Sequence, residues 1–176
     1  MPIQFLTMLT EERSSMEDRN KISEYEKNFI QEQWEKWEPA PGLAQRYDML
    51  VCCDDYRIGF KVVLCNPKNQ HEQVHLLWKN SVECYTSSNE TQVYVKFSEL
   101  VRRHEKHLFR DWTFFKVNNS EYLRRLSISS GTLSDIYNLE HYAIATEETI
   151  LDIIGGGNPH VEFVNVLVSS ANDQLQ

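Results

Sequence analysis

The sequence predicts an α+β fold, in which helices pack on a mostly antiparallel sheet. Short apolar segments separated by polar turns fill residues 46–97, as in an N-terminal meander of antiparallel strands. Residues 141–168 have the pattern of a strand, a short helix, a glycine-rich loop and a second strand. We therefore expect an N-terminal helical arm over residues 1–41 and a single α+β domain over residues 42–176, ending in this strand–helix–strand unit.

The helical arm is predicted from an amphipathic pattern over residues 17–38. Its apolar side chains recur every three or four residues, as they do on one face of a helix. They are Ile22, Tyr25, Phe29, Ile30, Trp34 and Trp37. The sequence Pro-Ala-Pro-Gly at positions 39–42 would end this helix and join it to the domain.

Five short strands are expected in the meander. Segments 47–53 and 56–65 would form one hairpin around Asp54 and Asp55. Segments 74–78 and 82–86 would form a second hairpin, and segment 91–97 would be the fifth strand. Polar turns between such segments are typical of an antiparallel sheet.

The meander is followed by alternating helices and strands. A helix is expected over residues 98–110 and a strand over residues 112–117. A second helix would begin at an N-cap, Asn118 or Ser120, and would stop at Gly131, because glycine readily adopts the left-handed conformation that ends a helix.

In the last unit, Thr146 is a suitable N-cap for the short helix, since its hydroxyl can accept a backbone N–H of the first turn. Glu147 and Glu148 follow where carboxylates meet the positive end of the helix dipole, and Gly155 would end the helix. The alternative is a hairpin with the two glutamates in its turn, although two-residue turns favour Asn-Gly or Asp-Gly. The run 161–168 is apolar on both faces, which predicts a central strand.

The charge distribution favours a basic protein partner. The net charge of the 176 residues is −8, and residues 126–176 hold seven acidic residues and no lysine or arginine. Nucleic acid is therefore an unfavoured partner, because phosphate binding needs basic side chains. Complementary charge steers protein association, so Glu147, Glu148 and Glu162 are candidate partner-binding residues. Solubility alone is the simpler explanation of the same charge.

The composition predicts a cytoplasmic protein that has no membrane-spanning segment. The four cysteines, Cys52, Cys53, Cys65 and Cys84, form no C-x-x-C pair, which favours reduced thiols. No apolar run approaches the roughly 20 residues that span a bilayer. The N-terminal residues lack the basic and apolar regions of a secretory signal.

One motif points to metal chemistry. The sequence His71-Glu72-Gln73-Val74-His75 is an H-E-x-x-H. On a helix, His71 and His75 would bind zinc from one face and Glu72 would act as general base of a zinc-dependent hydrolase or peptidase. Against a helix, residues 66–69 around Pro67 have the pattern of a turn, and Leu77-Trp78 with the turn that follows suits a strand as well as a helix. In a strand, Glu72 would point away from both histidines. No cofactor is expected in the preferred interpretation, and zinc is expected in this alternative.

A second motif points to anion binding. Arg102, Arg103, Lys106 and Arg110 form the densest basic patch, which could hold a phosphate or an acidic partner. The simpler interpretation is a solvated helix face that complements the acidic C-terminal third.

The last third resembles a group of bacterial proteins. The run WTFFKV, then NSEYLRRL, then HYAIAT with ILDII and a following proline, is similar to small bacterial proteins that include immunity proteins against contact-dependent or secreted toxins. The resemblance covers residues 112–162. It implies a non-enzymatic binder of an immunity or antitoxin type and transfers no catalytic residues. The preferred function is therefore protein binding, and the zinc hydrolase is the alternative.

Overall fold

The computed structural model describes residues 32–79, 82–89, 98, 100–101, 108–131 and 138–166. These residues form nine β-strands in two antiparallel sheets, together with two helical segments and the helical residues 98, 100 and 101. The strands are β1 (Gln33–Lys36), β2 (Asp48–Asp55), β3 (Gly59–Asn66), β4 (Asn69–Trp78), β5 (Val82–Asn89), β6 (Phe114–Asn118), β7 (Leu139–Ala145), β8 (Thr149–Gly156) and β9 (His160–Asn165). The helical segments are α1 (Leu108–Asp111) and α2 (Glu121–Ser130).

The strands divide between a five-stranded sheet, in the order β1-β6-β7-β8-β5, and a four-stranded sheet, in the order β2-β3-β4-β9. The prediction of a helix-packed α+β fold was therefore wrong, because the described chain is mostly β. The error is largest in the predicted strand–helix–strand unit. Its expected helix is β8, which pairs with β7 from Ile150 to Gly156 as a hairpin.

The main core lies between the two sheets. Side chains from both sheets meet there, and many are aromatic. Phe60 of the four-stranded sheet stacks on Tyr85 of the five-stranded sheet with ring centroids 4.5 Å apart, and Trp78 packs on Tyr142 at 5.7 Å. Aromatic pairs of this kind add to the free energy gained by burying their large apolar surfaces.

A second apolar cluster covers the other face of the five-stranded sheet. It includes Trp34, Phe115 and Ala143 from the sheet and Leu100 and Phe109 from the helical region. The five-stranded sheet is thus apolar on both faces. The outer face of the four-stranded sheet instead carries mostly polar residues along β4 and β9, among them His71, Gln73, His75 and Glu162, as is typical of a sheet that contacts water on one side.

The meander was predicted in part. The first hairpin is confirmed, since β2 and β3 pair in register, and Asp55 accepts bonds from the Arg57 backbone and side chain at 2.9 and 2.8 Å in the turn. The second hairpin is wrong, because β4 pairs with β3 and β9 while β5 pairs with β8 in the other sheet. The strand expected over 91–97 lies outside the described residues.

The N-terminal helix was predicted over residues that the structure describes only in part. Residues 17–31 lie outside the described ranges, and Gln33–Lys36 is strand β1, paired with β6. Trp34 and Trp37 are buried as expected for an apolar stripe, although they lie in and next to a strand. Of the helix expected over 98–110, the described positions are helical.

The helix after Asn118 is confirmed with both caps. Ser120 is the N-cap of α2 and accepts the backbone N–H of Leu123 at 3.0 Å. Gly131 ends the helix in the left-handed conformation, with φ of 64°, as glycine allows without steric cost.

Before the last strand, the chain crosses from one sheet to the other. The glycine-rich segment connects β8 of the five-stranded sheet to β9 of the four-stranded sheet, and Gly157 has a φ of 78° in this connection. The prediction of a central strand here was wrong, since β9 lies at the end of its sheet's strand order.

Within the described ranges, no helix has both the length and the apolar character needed to cross a bilayer.

Candidate functional site

An acidic cleft opens where the β7–β8 turn meets the start of β2. It has a volume of about 230 Å³ and is lined by Asp48, Met49, Thr146, Glu147, Glu148 and Thr149. The cleft joins two sheets and two segments that are about a hundred positions apart in the chain.

The turn itself explains why two glutamates are exposed there. Thr146 donates its backbone N–H to the carbonyl of Thr149 at 2.9 Å, and its hydroxyl accepts the N–H of Thr149 at 3.1 Å. This is the bond that an N-cap makes, used here in a hairpin turn. Because both threonines hold the turn, Glu147 and Glu148 project into solvent at its tip.

The cleft carries three carboxylates, those of Asp48, Glu147 and Glu148. Of the described side chains, none forms an ion pair with Asp48, Glu147 or Glu148. Like charges gathered in this way create a negative potential that a cationic group relieves. The carboxylates do not converge as metal ligands, since no group of three His, Cys, Asp or Glu in the described part of the chain is placed to hold an ion.

Exposed apolar residues follow the cleft residues Asp48 and Met49 along β2. Leu50 and Val51 are 49% and 47% exposed, at the position where the β2–β3 register shifts by a bulge. Among the described residues β2 pairs with β3 alone, and none of them pairs with its other edge. Such an edge of an eight-residue strand offers backbone donors and acceptors to a further strand.

The structure separates the predicted acidic residues. Glu147 and Glu148 lie at the cleft, as described above. Glu162 lies on β9 at the opposite edge of the four-stranded sheet, directly across from His75 of β4. The three glutamates therefore do not form one surface, and Asp48 takes the third position at the cleft.

The H-E-x-x-H residues lie in strand β4. By strand alternation His71 and His75 are on the outer face of the four-stranded sheet, and Glu72 is on the inner face with Val74. The Glu72 carboxylate accepts bonds from the side-chain amides of Asn66 and Asn69 at 3.0 and 2.8 Å. The helical arrangement on which the zinc-hydrolase hypothesis depends, with all three side chains together, is therefore not present at this motif.

The cysteine thiols are free and two of them are held in the neutral form. Burial, with a smaller contribution from Cys53 and Asp54, raises the pKa of Cys52 to about 11. Burial also raises the pKa of Cys65. A nucleophilic cysteine needs a lowered pKa, so neither thiol is activated.

Most residues of the predicted basic patch lie outside the described ranges. Arg102, Arg103 and Lys106 lie outside the described residues, and Arg110 is described only as part of α1. The anion-binding interpretation stays a prediction.

A buried Ser–His–Asp chain lies under α2, and sequence reasoning missed it. His141 is 1% exposed, with one ring nitrogen 2.7 Å from the Ser120 hydroxyl and the other 2.9 Å from the Asp152 carboxylate. These are the residue types of a serine-nucleophile triad. However, Ser120 is itself buried and caps α2, and the N–H of Glu121 is occupied by the Glu32 carboxylate, which would repel an oxyanion.

The hydrogen-bonded side chains of Ser120, His141 and Asp152 therefore attach α2 to the five-stranded sheet. A signal for it was present in the sequence, since Asp152 interrupts an otherwise apolar run, and a buried carboxylate requires a partner. The partner, His141, lies in the neighbouring strand and could be identified only once β8 was recognised as a strand.

Compared with protein-family models, with curated proteins and with solved structures, the chain gives no match in any of the three.

Proposed function

We propose that this protein is a non-catalytic binding module for a basic protein partner, which docks on the acidic cleft and on the edge of β2. The observation that carries the proposal is the cleft of Asp48, Glu147 and Glu148, which has no cation among the described side chains. A role of the immunity or antitoxin type, in which the module neutralises a basic toxin, is the most concrete form of this function.

The acidic cleft and the exposed apolar residues of β2 together have the composition of a protein–protein interface. Protein interfaces place apolar contacts at their centre and polar groups around them. Leu50 and Val51 would supply apolar contacts, and the three carboxylates would lie beside them. The unpaired edge of β2 would also let an extended segment of the partner add a strand to the four-stranded sheet.

The test compares two variants of the full chain. In the first, Asp48→Asn, Glu147→Gln and Glu148→Gln neutralise the cleft. In the second, Glu35→Gln, Glu83→Gln and Glu162→Gln remove the same charge from strand positions that do not line the cleft. Proteins retained by the immobilised wild-type chain at low salt are identified, purified and titrated against all three chains by calorimetry.

The cleft variant should bind a genuine partner at least about tenfold more weakly, equivalent to about 1.4 kcal/mol, and the control should bind within about twofold of wild type. Binding should weaken from 50 to 500 mM salt, because exposed charges are screened. A purified partner that binds equally to the wild type and to the cleft variant, independently of salt, would contradict the proposal.

A further inference from the structure

A second cavity lies over the paired strands β4 and β9, on the face of the four-stranded sheet that turns towards the main core. Its volume is about 270 Å³, which suits a ligand of a few heavy atoms rather than a large cofactor. The lining residues are Gly42, Ala44, Tyr47, Asn66, Glu72, Gln73, Val74, Phe163, Val164 and Asn165.

Of the described residues in this lining, Glu72 alone is charged, and its carboxylate is held in place. The side-chain amides of Asn66 and Asn69 each donate to one of its oxygens, at 3.0 and 2.8 Å. Each carboxylate oxygen can accept a further bond, so the group remains able to bind a donor. A carboxylate fixed before binding loses little conformational entropy when a ligand arrives.

An exposed aromatic ring lies on the same face as this carboxylate. In the β4–β9 register Glu72 is opposite Asn165 and Val74 is opposite Phe163, so Phe163 is the diagonal neighbour of Glu72. Phe163 is 52% exposed although it lies on the inner face of its strand. A ligand that covers the ring would remove apolar surface from water.

Tyr47 forms the inner wall of the cavity. Its hydroxyl accepts the backbone N–H of Ala44 at 2.8 Å. Burial raises the pKa of Tyr47, the bond from Ala44 opposes that increase, and the negative charge of Glu72 adds to it. Tyr47 therefore stays a neutral phenol and lies within the field of Glu72.

We propose that this cavity binds an alkylammonium or alkylguanidinium group, whose cationic head meets Glu72 and whose aliphatic stem packs on Phe163 and Val74. A fixed carboxylate next to an exposed aromatic ring matches such a ligand on both counts, through charge and cation–π attraction at the head and apolar contact along the stem. The group has two sources, a free amine or the side chain of a lysine or arginine on another protein.

The proposal is tested by adding small ligands to the isotope-labelled full chain and following its NMR spectrum. Pentylamine should bind with a dissociation constant on the order of 1 mM and shift the side-chain amide signals of Asn66 and Asn69. Its neutral analogue, 1-pentanol, should bind at least about tenfold more weakly. Methyl glucoside, a neutral sugar that could also stack on Phe163, should give no shift.

Two variants remove the two halves of the site, and one serves as a matched control. Glu72→Gln keeps the size of the side chain and should weaken pentylamine binding about tenfold or more. Phe163→Ala, at an exposed position, should weaken it several-fold, whereas Glu162→Gln, the adjacent acid on the opposite face, should leave it unchanged. A dispersed spectrum for each variant verifies folding.

Equal binding of pentanol and pentylamine, shifts from methyl glucoside alone, or full affinity in Glu72→Gln would overturn the proposal. Amine-induced shifts confined to Asp48, Glu147 and Glu148 would also overturn it, and would leave the proposed function at the cleft intact. Acetyl-Gly-Lys-Gly-amide and agmatine then separate the sources. Tighter binding of the peptide assigns a protein side chain, and tighter binding of agmatine assigns a free amine.

Discussion

The two sheets differ in how much of their surface is exposed to water, and both candidate sites include residues of the more exposed sheet. In the five-stranded sheet, residues 141–145 of β7 and residues 150–155 of β8 are buried continuously. In the four-stranded sheet, β4 is exposed along its first half and alternates between buried and half-buried residues along its second half. Both proposed binding sites involve residues of the four-stranded sheet, Asp48 at the cleft and Glu72 at the second cavity.

Polar groups are treated differently in the two sheets. The buried polar side chains of the five-stranded sheet, His141 and Asp152, are hydrogen-bonded to each other. Glu162, on strand β9 at the edge of the four-stranded sheet, instead remains exposed. A paired, buried group contributes to stability, whereas an exposed charge is available to a ligand.

The largest expected effect comes from breaking the buried pair in the five-stranded sheet. Asp152→Ala should lower the free energy of unfolding by roughly 3–5 kcal/mol, since it leaves His141 buried with one ring nitrogen unpaired. Glu162→Ala removes an equivalent charge from the four-stranded sheet and should change stability by less than about 0.5 kcal/mol. Urea unfolding at pH 7 measures both, and similar losses in the two variants would refute the contrast between the sheets.

Next in size is a backbone clash inside the four-stranded sheet. Gly59 has a φ of 102°, and an added Cβ would lie 2.1 Å from the carbonyl oxygen of Trp78. Gly59→Ala should therefore lower the free energy of unfolding by roughly 2–4 kcal/mol through backbone strain and displacement of β4. Gly42→Ala is the control, because Gly42 also has a positive φ but has open space around it, and should cost about 1–2 kcal/mol. Equal thermal shifts for the two variants would show that the close approach at Trp78 does not matter.

A smaller effect is expected at the helix that covers the five-stranded sheet. Glu121 is buried and accepts bonds from Arg124 at 2.6 Å and Arg125 at 2.9 Å. The bond from Arg124 lowers the pKa of Glu121 from its ordinary 4.5, burial opposes this, and Arg125 adds to the lowering. Glu121→Gln should cost roughly 1–3 kcal/mol at pH 7.

The pH dependence of this effect has a defined sign. The folded state holds the Glu121 proton less tightly than the unfolded state, so the stabilisation is complete above about pH 4.5 and is lost as pH falls through the lowered folded pKa. The difference between wild type and Glu121→Gln should therefore shrink in acid, as chemical unfolding at a series of pH values would reveal. A difference that stays constant down to pH 2 would rule out the ion pairs as its origin.

The smallest effect is expected on the half-exposed face of the four-stranded sheet. Burial lowers the pKa of His75 from its ordinary 6.5, Lys61 lowers it further, and Glu162 opposes them. The unfolded chain therefore binds this proton more readily, and stability should fall as pH drops below about 6.5 towards the folded pKa. His75→Gln should reduce the decrease in melting temperature between pH 7.5 and 5.5. An unchanged decrease in His75→Gln would contradict the assignment.

Local signals in the sequence were sufficient for elements whose stabilisation is local. The hairpin of β2 and β3 is joined by a short turn in which Asp55 bonds to Arg57, and α2 is bounded by Ser120 and Gly131. Caps and turns act within a few residues, so the residues that form them are neighbours in the chain.

The apolar run of β8 could not be interpreted locally. Ile150, Leu151, Ile153 and Ile154 are consistent with a buried helix as well as with a strand buried on both faces. The second apolar cluster covers the face of the five-stranded sheet that would contact water if only one face were buried, and this burial stabilises the strand. Thr146 made its expected hydroxyl bond three residues along the chain, but in a hairpin turn.

The sites depend on strand partners that local patterns do not encode. Sequence and charge alone indicated strands at β4 and β5, and an acidic pair at Glu147 and Glu148. That β4 and β5 belong to different sheets, and that Asp48 joins the two glutamates across them, follows only from the burial of both sheets against one core. The hydrophobic effect is non-directional and long-range contacts form together with the core, so the partner of each strand is a property of the whole chain.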